Sequence, residues 1–437
     1  MNEAGGLLDL AGAVLDGGLD QVDLAEAASR VAWSTLVEPG DGLAGGLVAG
    51  VGAGRSLLAL RARCEAGPGN GSDGCDDLLA LALDAQVPGS EDPVAYADAL
   101  ASAVERWAPR VAVLDPTAAL AAAAAVGARL LVPGCPGWPE RVDDLDVHAP
   151  VVLWARGRPE VVRPSLSVVG SRANTVAGAE AAAEITSLAA DAGCSVVSGG
   201  AYGIDAVAHR VSIAAGAPTT AVLAGGIDQL YPAGNADLLR NVSRQGAVLA
   251  ESPPGTRPTR WRFLARNRLI AALGDATVVV EAGARSGALN TAHHAGQLGR
   301  PVFAVPGAFS SSASVGCHRL VADGRAQLVV RPEDPVRAVV EPAVGGGAVG
   351  GGAVHTPGPR GRPSGDGVDG DGRAAPLVGA RLDAEVLRVL DALARRPLPE
   401  HEVVVRSGMS PSEVADALAL AELQGLATHT ASGWVRA

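Results

Sequence analysis

Ser198-Gly-Gly-Ala-Tyr-Gly-Ile-Asp-Ala-Val-Ala208 is the stretch whose reading decides the fold. It follows a short apolar run, Cys194 to Val197, that reads as a buried parallel strand. It leads into a helical pattern from about Ile204 to Ala215. The stretch is therefore a strand-to-helix turn carrying three glycines and a serine. Glycine permits positive φ and lets the backbone approach a ligand closely. The helix N-terminus behind it offers free N–H groups and the positive end of a dipole, which suits phosphate. Two other turns have the same placement: Gly170-Ser171-Arg172 after the run 166–169, and Arg285-Ser286-Gly287 after the run 276–281. In an open parallel sheet such loops share the carboxyl edge, where ligands bind. A phosphate-rich site along that edge is expected.

Outward from this turn, apolar runs alternate with helical periodicities, the pattern of a parallel α/β sheet with helices on both faces. Strands are expected over 166–170, 195–198, 219–224, 247–251, 276–281, 301–305 and 326–330. Helices are expected over 176–191, 204–215, 235–244, 265–273, 287–298 and 315–322. Upstream, 24–36 and the stretch ending near Arg63 read as helices on either side of a Gly-rich turn, residues 43–54. That reads as a small all-α domain or a DNA-holding helix-hairpin-helix. Residues 65–92 read as a loop, 93–107 as a helix, and 150–157 as an entrance to the main domain. Residues 1–30 are acidic and Gly/Ala-rich, with partial disorder expected. Residues 342–376 are Gly/Pro-rich without periodicity, a flexible linker. Three helices and a hairpin follow, the pattern of a winged helix. Glu413, Asp416 and Glu422 on its would-be recognition helix favour protein docking over DNA reading. The organisation expected is a helical domain over 1–110, an extended Rossmann-like doubly wound sheet over 111–340, a linker over 341–377 and a winged helix over 378–437.

The 437 residues leave room for about three domains of roughly 150 residues each. Apolar residues make up 48%, enough for a sizeable core, and aromatics only 3%, so the core must be Ala, Val and Leu. The net charge of −12 argues at first against a polyanionic partner. The acid is concentrated, however: residues 1–110 hold 6 Arg against 17 Asp and Glu, and the remainder 29 against 30. Local patches, not the total, set affinity for phosphates. The five cysteines are scattered without CxxC spacing and form no metal set with the histidines. Neither a secretory leader nor an apolar run of the ~20 residues of a membrane span is expected, so a reduced, cytoplasmic setting is.

Between Gly255 and Ile270 lie Arg257, Arg260, Arg262, Arg266 and Arg268, without an acid, interleaved with Trp261 and Phe263. Arginines alternating with aromatics suit a single strand, because charge follows the backbone and rings stack bases. Arg266-Asn267-Arg268 is placed at a helix start. Ser171 offers a hydroxyl, and Arg172 a fork for phosphate. The turn after the strand 166–169 lacks the GxGxxG spacing of a dinucleotide site. No catalytic set emerges: Asp205, His209, Asp228 and Glu281 show no nucleophile–base pairing. Asp205 and His209, four apart on one helix, are expected to bond to each other. Residues 226–232 read as a structural turn.

These pieces in order resemble the DNA-processing protein A (DprA/Smf) family: 169–172, 198–205 with Ala208-His209, 226–232, 251–256, 266–268, 286–292 and 303–307. The resemblance covers about 134–335, and more loosely both ends. It implies an extended Rossmann domain that binds single-stranded DNA, dimerises, and hands the strand to the recombinase RecA during natural transformation, without cofactor, metal or catalysis. Carried over by position, the phosphate-binding residues are Ser171, Arg172, Ser198, Gly199, Gly200, Arg266, Asn267, Arg268, Ser286 and Gly287. Two positions depart from the family. Tyr202 stands where arginine is usual, exchanging a charge for a ring, and Arg285 stands where lysine is usual. A competing expectation is a Rossmann-like nucleotide enzyme that cleaves nucleoside monophosphates; the Gly-Gly-x-Gly-Thr loop such enzymes use is absent.

Overall fold

The computed structural model describes residues 11–15, 24–66, 73–341, 384–394, 396–430 and 432–437. The linker, the first ten residues and most of the acidic stretch after Leu15 lie outside the described residues.

Nine strands form one sheet in the order β1-β2-β6-β5-β4-β3-β7-β8-β9. They are β1 (Arg129–Leu131), β2 (Leu153–Gly157), β3 (Ser165–Val169), β4 (Ser195–Ser198), β5 (Thr219–Leu223), β6 (Ala247–Ala250), β7 (Ala276–Val279), β8 (Val302–Ala304) and β9 (Gln327–Leu328). From β6 to β9 every pairing is parallel. β2 runs antiparallel to β6, with Trp154 opposite Ala250 and Gly157 opposite Ala247, and β1 antiparallel to β2. The stretch read as an entrance is thus the second strand of the sheet, paired with β1 on one side and β6 on the other. Its continuous apolar run, Val151 to Ala155, is buried because the sheet is covered on both faces.

Successive side chains of a strand point to opposite faces, and the core divides accordingly. Val168, Val196 and Val278 join Ile185, Ile204 and Ala208 of the Val176–Asp191 and Ile204–Ala214 helices. Their neighbours Val169, Val197 and Val279 join Leu269, Ile270 and Ala292 of the Arg260–Leu273 and Ala288–Gln297 helices. The doubly wound sandwich follows from that alternation.

The N-terminal region is helical: Leu24–Leu36, Gly42–Gly50, Ala53–Ala66, Asp73–Asp84 and Pro93–Val111. Trp33 and Trp107 meet edge to face at 5.3 Å in its core. Two expectations are corrected here. The Gly-rich segment is not a turn but a helix, started by Asp41, whose side chain accepts from Ala44 N. Its glycines serve contact, since a Cβ on Gly45 would overlap the Val147 carbonyl oxygen. Nor is 65–92 all loop, because Asp73–Asp84 is helical. The Leu24–Leu36 helix also gives Ala27 and Val31 to the sheet's core.

At the C-terminus the helices Ala384–Ala392, Glu400–Ser407 and Pro411–Leu423 and the hairpin β10 (Ala427–Thr430) and β11 (Gly433–Arg436) enclose their own core. This winged helix rests on the first turn of the Arg260–Leu273 helix. Asp391 accepts from the backbone N–H of Arg260 at 2.8 Å, and the Arg388 guanidinium lies 5.3 Å from the Trp261 ring.

Candidate nucleic-acid interface

The turns after β3, β4, β5, β6, β7 and β8 gather at the carboxyl edge of the parallel strands. Carboxylates hold three of them, two buried and one half-buried. After β4, Asp205 Oδ2 accepts from Gly199 N at 3.1 Å and Ala201 N at 3.3 Å. Two of the amides that the glycine-rich turn offers are therefore spent inside the protein. Burial raises the Asp205 carboxyl above its usual range, against the pull of Arg266. Gly203, at φ 77°, starts the next helix; a Cβ there would overlap the Ser171 carbonyl, which accepts from Ile204 N. After β3, Thr175 donates through N and Oγ1 to the buried carboxylate of Glu281, at the end of β7. After β5, Asp228 accepts from Gly255 N of the next loop at 2.8 Å.

Of the groups weighed for acid–base chemistry, Asp205, Asp228 and Glu281 are thus loop ties. The expected Asp205–His209 bond is not formed. His209 Nδ1 lies 2.8 Å from Thr219 Oγ1, which donates to the Val196 carbonyl. Burial, helped by nearby Arg266, lowers the imidazole pKa to about 3. At neutral pH it is an uncharged core residue.

The residues singled out by sequence divide into inward and outward sets. Ser198 is fully buried and donates to the Val168 carbonyl. Gly199 and Gly200 are buried, Gly199 beneath the guanidinium of Arg266. Arg266 Nη1 donates to the carbonyls of Gly199 and Val222, and burial lowers its pKa to about 10. Arg268 is buried in a bidentate pair with Glu251, at 2.7 and 2.6 Å, and its Nε donates to the His148 carbonyl. Asn267 Nδ2 donates to the Gly287 carbonyl and the Asn290 side chain, tying this helix to the turn after β7. The Arg-Asn-Arg run is therefore packed beneath the edge, whereas Arg257 and Arg260 stand exposed.

Outward stand Arg172, Tyr202, Arg285 and Gly287, with Ser171 and Ser286 partly exposed. Arg172 lies 4.6 Å from the centre of the Phe263 ring, and Tyr231 packs on that ring at 5.8 Å. Tyr202 and Tyr231 are 48% and 49% exposed, so both rings are half offered to solvent. The Tyr202 hydroxyl accepts from Gly234 N at 3.3 Å. Tyr231 is the site residue sequence reading missed. The available signal was its place at the tip of a loop one strand from the central turn. Beyond the β7 turn, Phe309 is 94% exposed on the loop after β8. The edge thus presents arginines alternating with half-exposed rings, an arrangement suited to a phosphate backbone with bases stacked beside it.

Fold and edge together define a Rossmann-like domain bearing a winged helix. A family model described as DNA recombination-mediator protein A matches residues 129–339, and one described as DprA winged helix domain matches 373–433. A putative DNA processing protein DprA from Mycobacterium tuberculosis is 44% identical over 294 residues, covering 66% of this chain and 69% of that protein. The DNA processing protein DprA of Streptococcus pneumoniae is 39% identical over 187 residues, 43% of this chain and 66% of that one. The X-ray structure of DprA from the same organism superposes with a TM-score of 0.50 at 30% identity, covering 65% of this chain and 93% of that one. The chain belongs to the DprA family of DNA-processing proteins. Among the described residues no helix is long and apolar enough to cross a membrane.

Proposed function

We propose that this protein binds single-stranded DNA along the carboxyl edge of its sheet, works as a homodimer through the Rossmann-like domain, and passes the strand to a RecA-class recombinase in the cytoplasm. The observation that carries the reading is the Arg172–Phe263–Tyr231 stack beside half-exposed Tyr202. A cation over a ring, flanked by free ring faces, serves phosphate and base at once and distinguishes no sequence. The phosphate contacts assigned to the strand at the edge are Arg172, Ser171, Arg285, Ser286 and Gly287, with Arg260 beside them. Ser198, Gly199, Gly200, Arg266, Asn267 and Arg268 shape the edge from beneath. Family membership supports the recombination role. The structural duties of Asp205, His209, Asp228 and Glu281 support a binding protein over a nucleotide hydrolase.

The test is a titration of the full chain with labelled single- and double-stranded DNA across salt. Single strands bind more tightly, with log K falling linearly in log salt. Phe263→Ala weakens single-strand binding by about 1–3 kcal/mol. Equal binding of both DNA forms, or an indifferent Phe263→Ala, overturns the reading. Release of free base from nucleoside monophosphates would favour the enzyme instead.

A further inference from the structure

A cavity of about 1040 Å³ lies where the N-terminal helices, the loop after β6 and the winged helix meet. Its walls carry six arginines and three carboxylates. The carboxylates are already committed. Glu38 accepts from Arg110 at 2.6 Å and from Arg262 at 2.9 Å. Asp115 caps a helix through Ala118 N, and Asp391 accepts from Arg260 N. Arg406 is paired with Glu402 at 2.9 Å. Among the described residues, Arg257, Arg388 and Arg436 form no ion pair. Arg257 and Arg436 are exposed; Arg388 donates through Nη2 to the carbonyls of Ser407 and Gly408, while its buried Nε has no partner. Trp261, 39% exposed, supplies an aromatic wall beside Arg388.

The loop after β6 is a shared wall. Its Gly255 and Thr256 bond to Asp228 and Gly226 of the sheet edge, and its Pro253 to Arg257 line the cavity. We infer that this cavity takes a second segment of a single strand, leaving the sheet edge past Arg257 and running beneath the winged helix between Trp261 and Arg436. The inference rests on the single-strand reading above. Uncompensated arginines beside a ring match phosphate and base. A chamber walled by three parts of the protein admits a flexible strand. A duplex, stiff over about 150 base pairs, does not bend to follow the same path. The winged helix would then act as a clamp on the strand through its arginines, although its acidic recognition helix is ill suited to a groove.

The experiment compares oligothymidylates shorter and longer than the roughly 4–16 nucleotides of one strand-binding platform. It uses the full chain and the double variant Arg257→Glu, Arg436→Glu, which alters exposed side chains only. Long strands lose about tenfold in affinity and about 1.4 in salt slope, two contacts' worth, and short strands are unchanged. Trp261→Ala weakens long strands alone. Equal affinities of variant and wild type for long strands overturn the inference and leave the edge site standing. Equal losses at both lengths also overturn it. If the wild-type chain binds neither length, the edge reading itself fails. A rise in melting temperature with free dTMP or ATP, abolished by the double variant and without any length effect, assigns the cavity to a small nucleotide instead.

Discussion

Two arginines show how burial separates identical side chains. Arg172 stands in solvent over a ring, and Arg268 is enclosed with Glu251. Arg172→Ala leaves the melting temperature unchanged, weakens single-strand binding and lowers the salt slope by about 0.7. Arg268→Ala leaves a buried carboxylate uncompensated and costs about 3–5 kcal/mol of stability. Thermal melting and a salt titration on both variants check the pair; a stable Arg268→Ala protein would return that residue to the interface. His209 makes a second residue-scale prediction. Its folded pKa of about 3 lies below the ordinary 6.5, so the unfolded chain takes the proton first as pH falls. The stability that His209 contributes is complete above about pH 6.5 and declines toward pH 3, by at most about 1.4 kcal/mol per pH unit. His209→Asn should flatten the melting profile in that window; an unaltered profile would mean another group sets it.

Among the elements, the Gly42–Gly50 helix shows how composition misleads. The five glycines between residues 43 and 54 read as a turn, yet the helix forms because Asp41 caps it and close approach to residues 140–148 demands small side chains. Gly45→Ala drives a Cβ into the Val147 carbonyl and should cost about 1–3 kcal/mol or more. Gly296 gives the contrast. It lies within the Ala288–Gln297 helix with nothing within 4 Å of an added Cβ, so Gly296→Ala should stabilise by about 0.4–1 kcal/mol. Denaturant unfolding of the two variants reads opposite signs. The same sign for both would show that helix propensity, not packing, governs these sites.

At the scale of the whole molecule, Glu38 joins the parts. It binds Arg110 of the N-terminal region and Arg262 of the sheet domain, and Arg110 Nε donates to the Val405 carbonyl of the winged helix. Burial would raise its carboxyl pKa, but the guanidiniums of Arg262 and Arg110 outweigh burial and hold it at about 2. A depressed carboxylate contributes stability above its unfolded pKa of about 4.5 and loses it as pH falls toward 2. Glu38→Gln leaves two largely buried arginines without a counter-charge. It should cost about 3–5 kcal/mol and remove the acid-induced loss between those pH values. A melting curve and acid titration matching wild type would show that the junction is held by packing alone.

The sheet domain was legible in the sequence because local patterns suffice for it. Each strand from 166 to 330 is a short apolar run bounded by glycine or proline, and the helices between them appear within a few residues of their observed ends, except that Arg260–Leu273 starts about one turn earlier. The carboxyl-edge placement of the turns follows from parallel order alone. What no local pattern carries is which way a side chain faces when its partner lies far along the chain. Arg268 meets Glu251 and His148, Asp205 turns to two backbone amides, and Tyr231 reaches Phe263 from another loop. β1 and β2 were missed because their antiparallel partners depend on tertiary packing, and the Gly-rich helix because its reason lies near residue 147. Sequence by itself determined the parallel scaffold and the edge at which its turns gather. Only the tertiary structure decided which arginines remain in water, because burial and pairing are properties of neighbours that folding brings together.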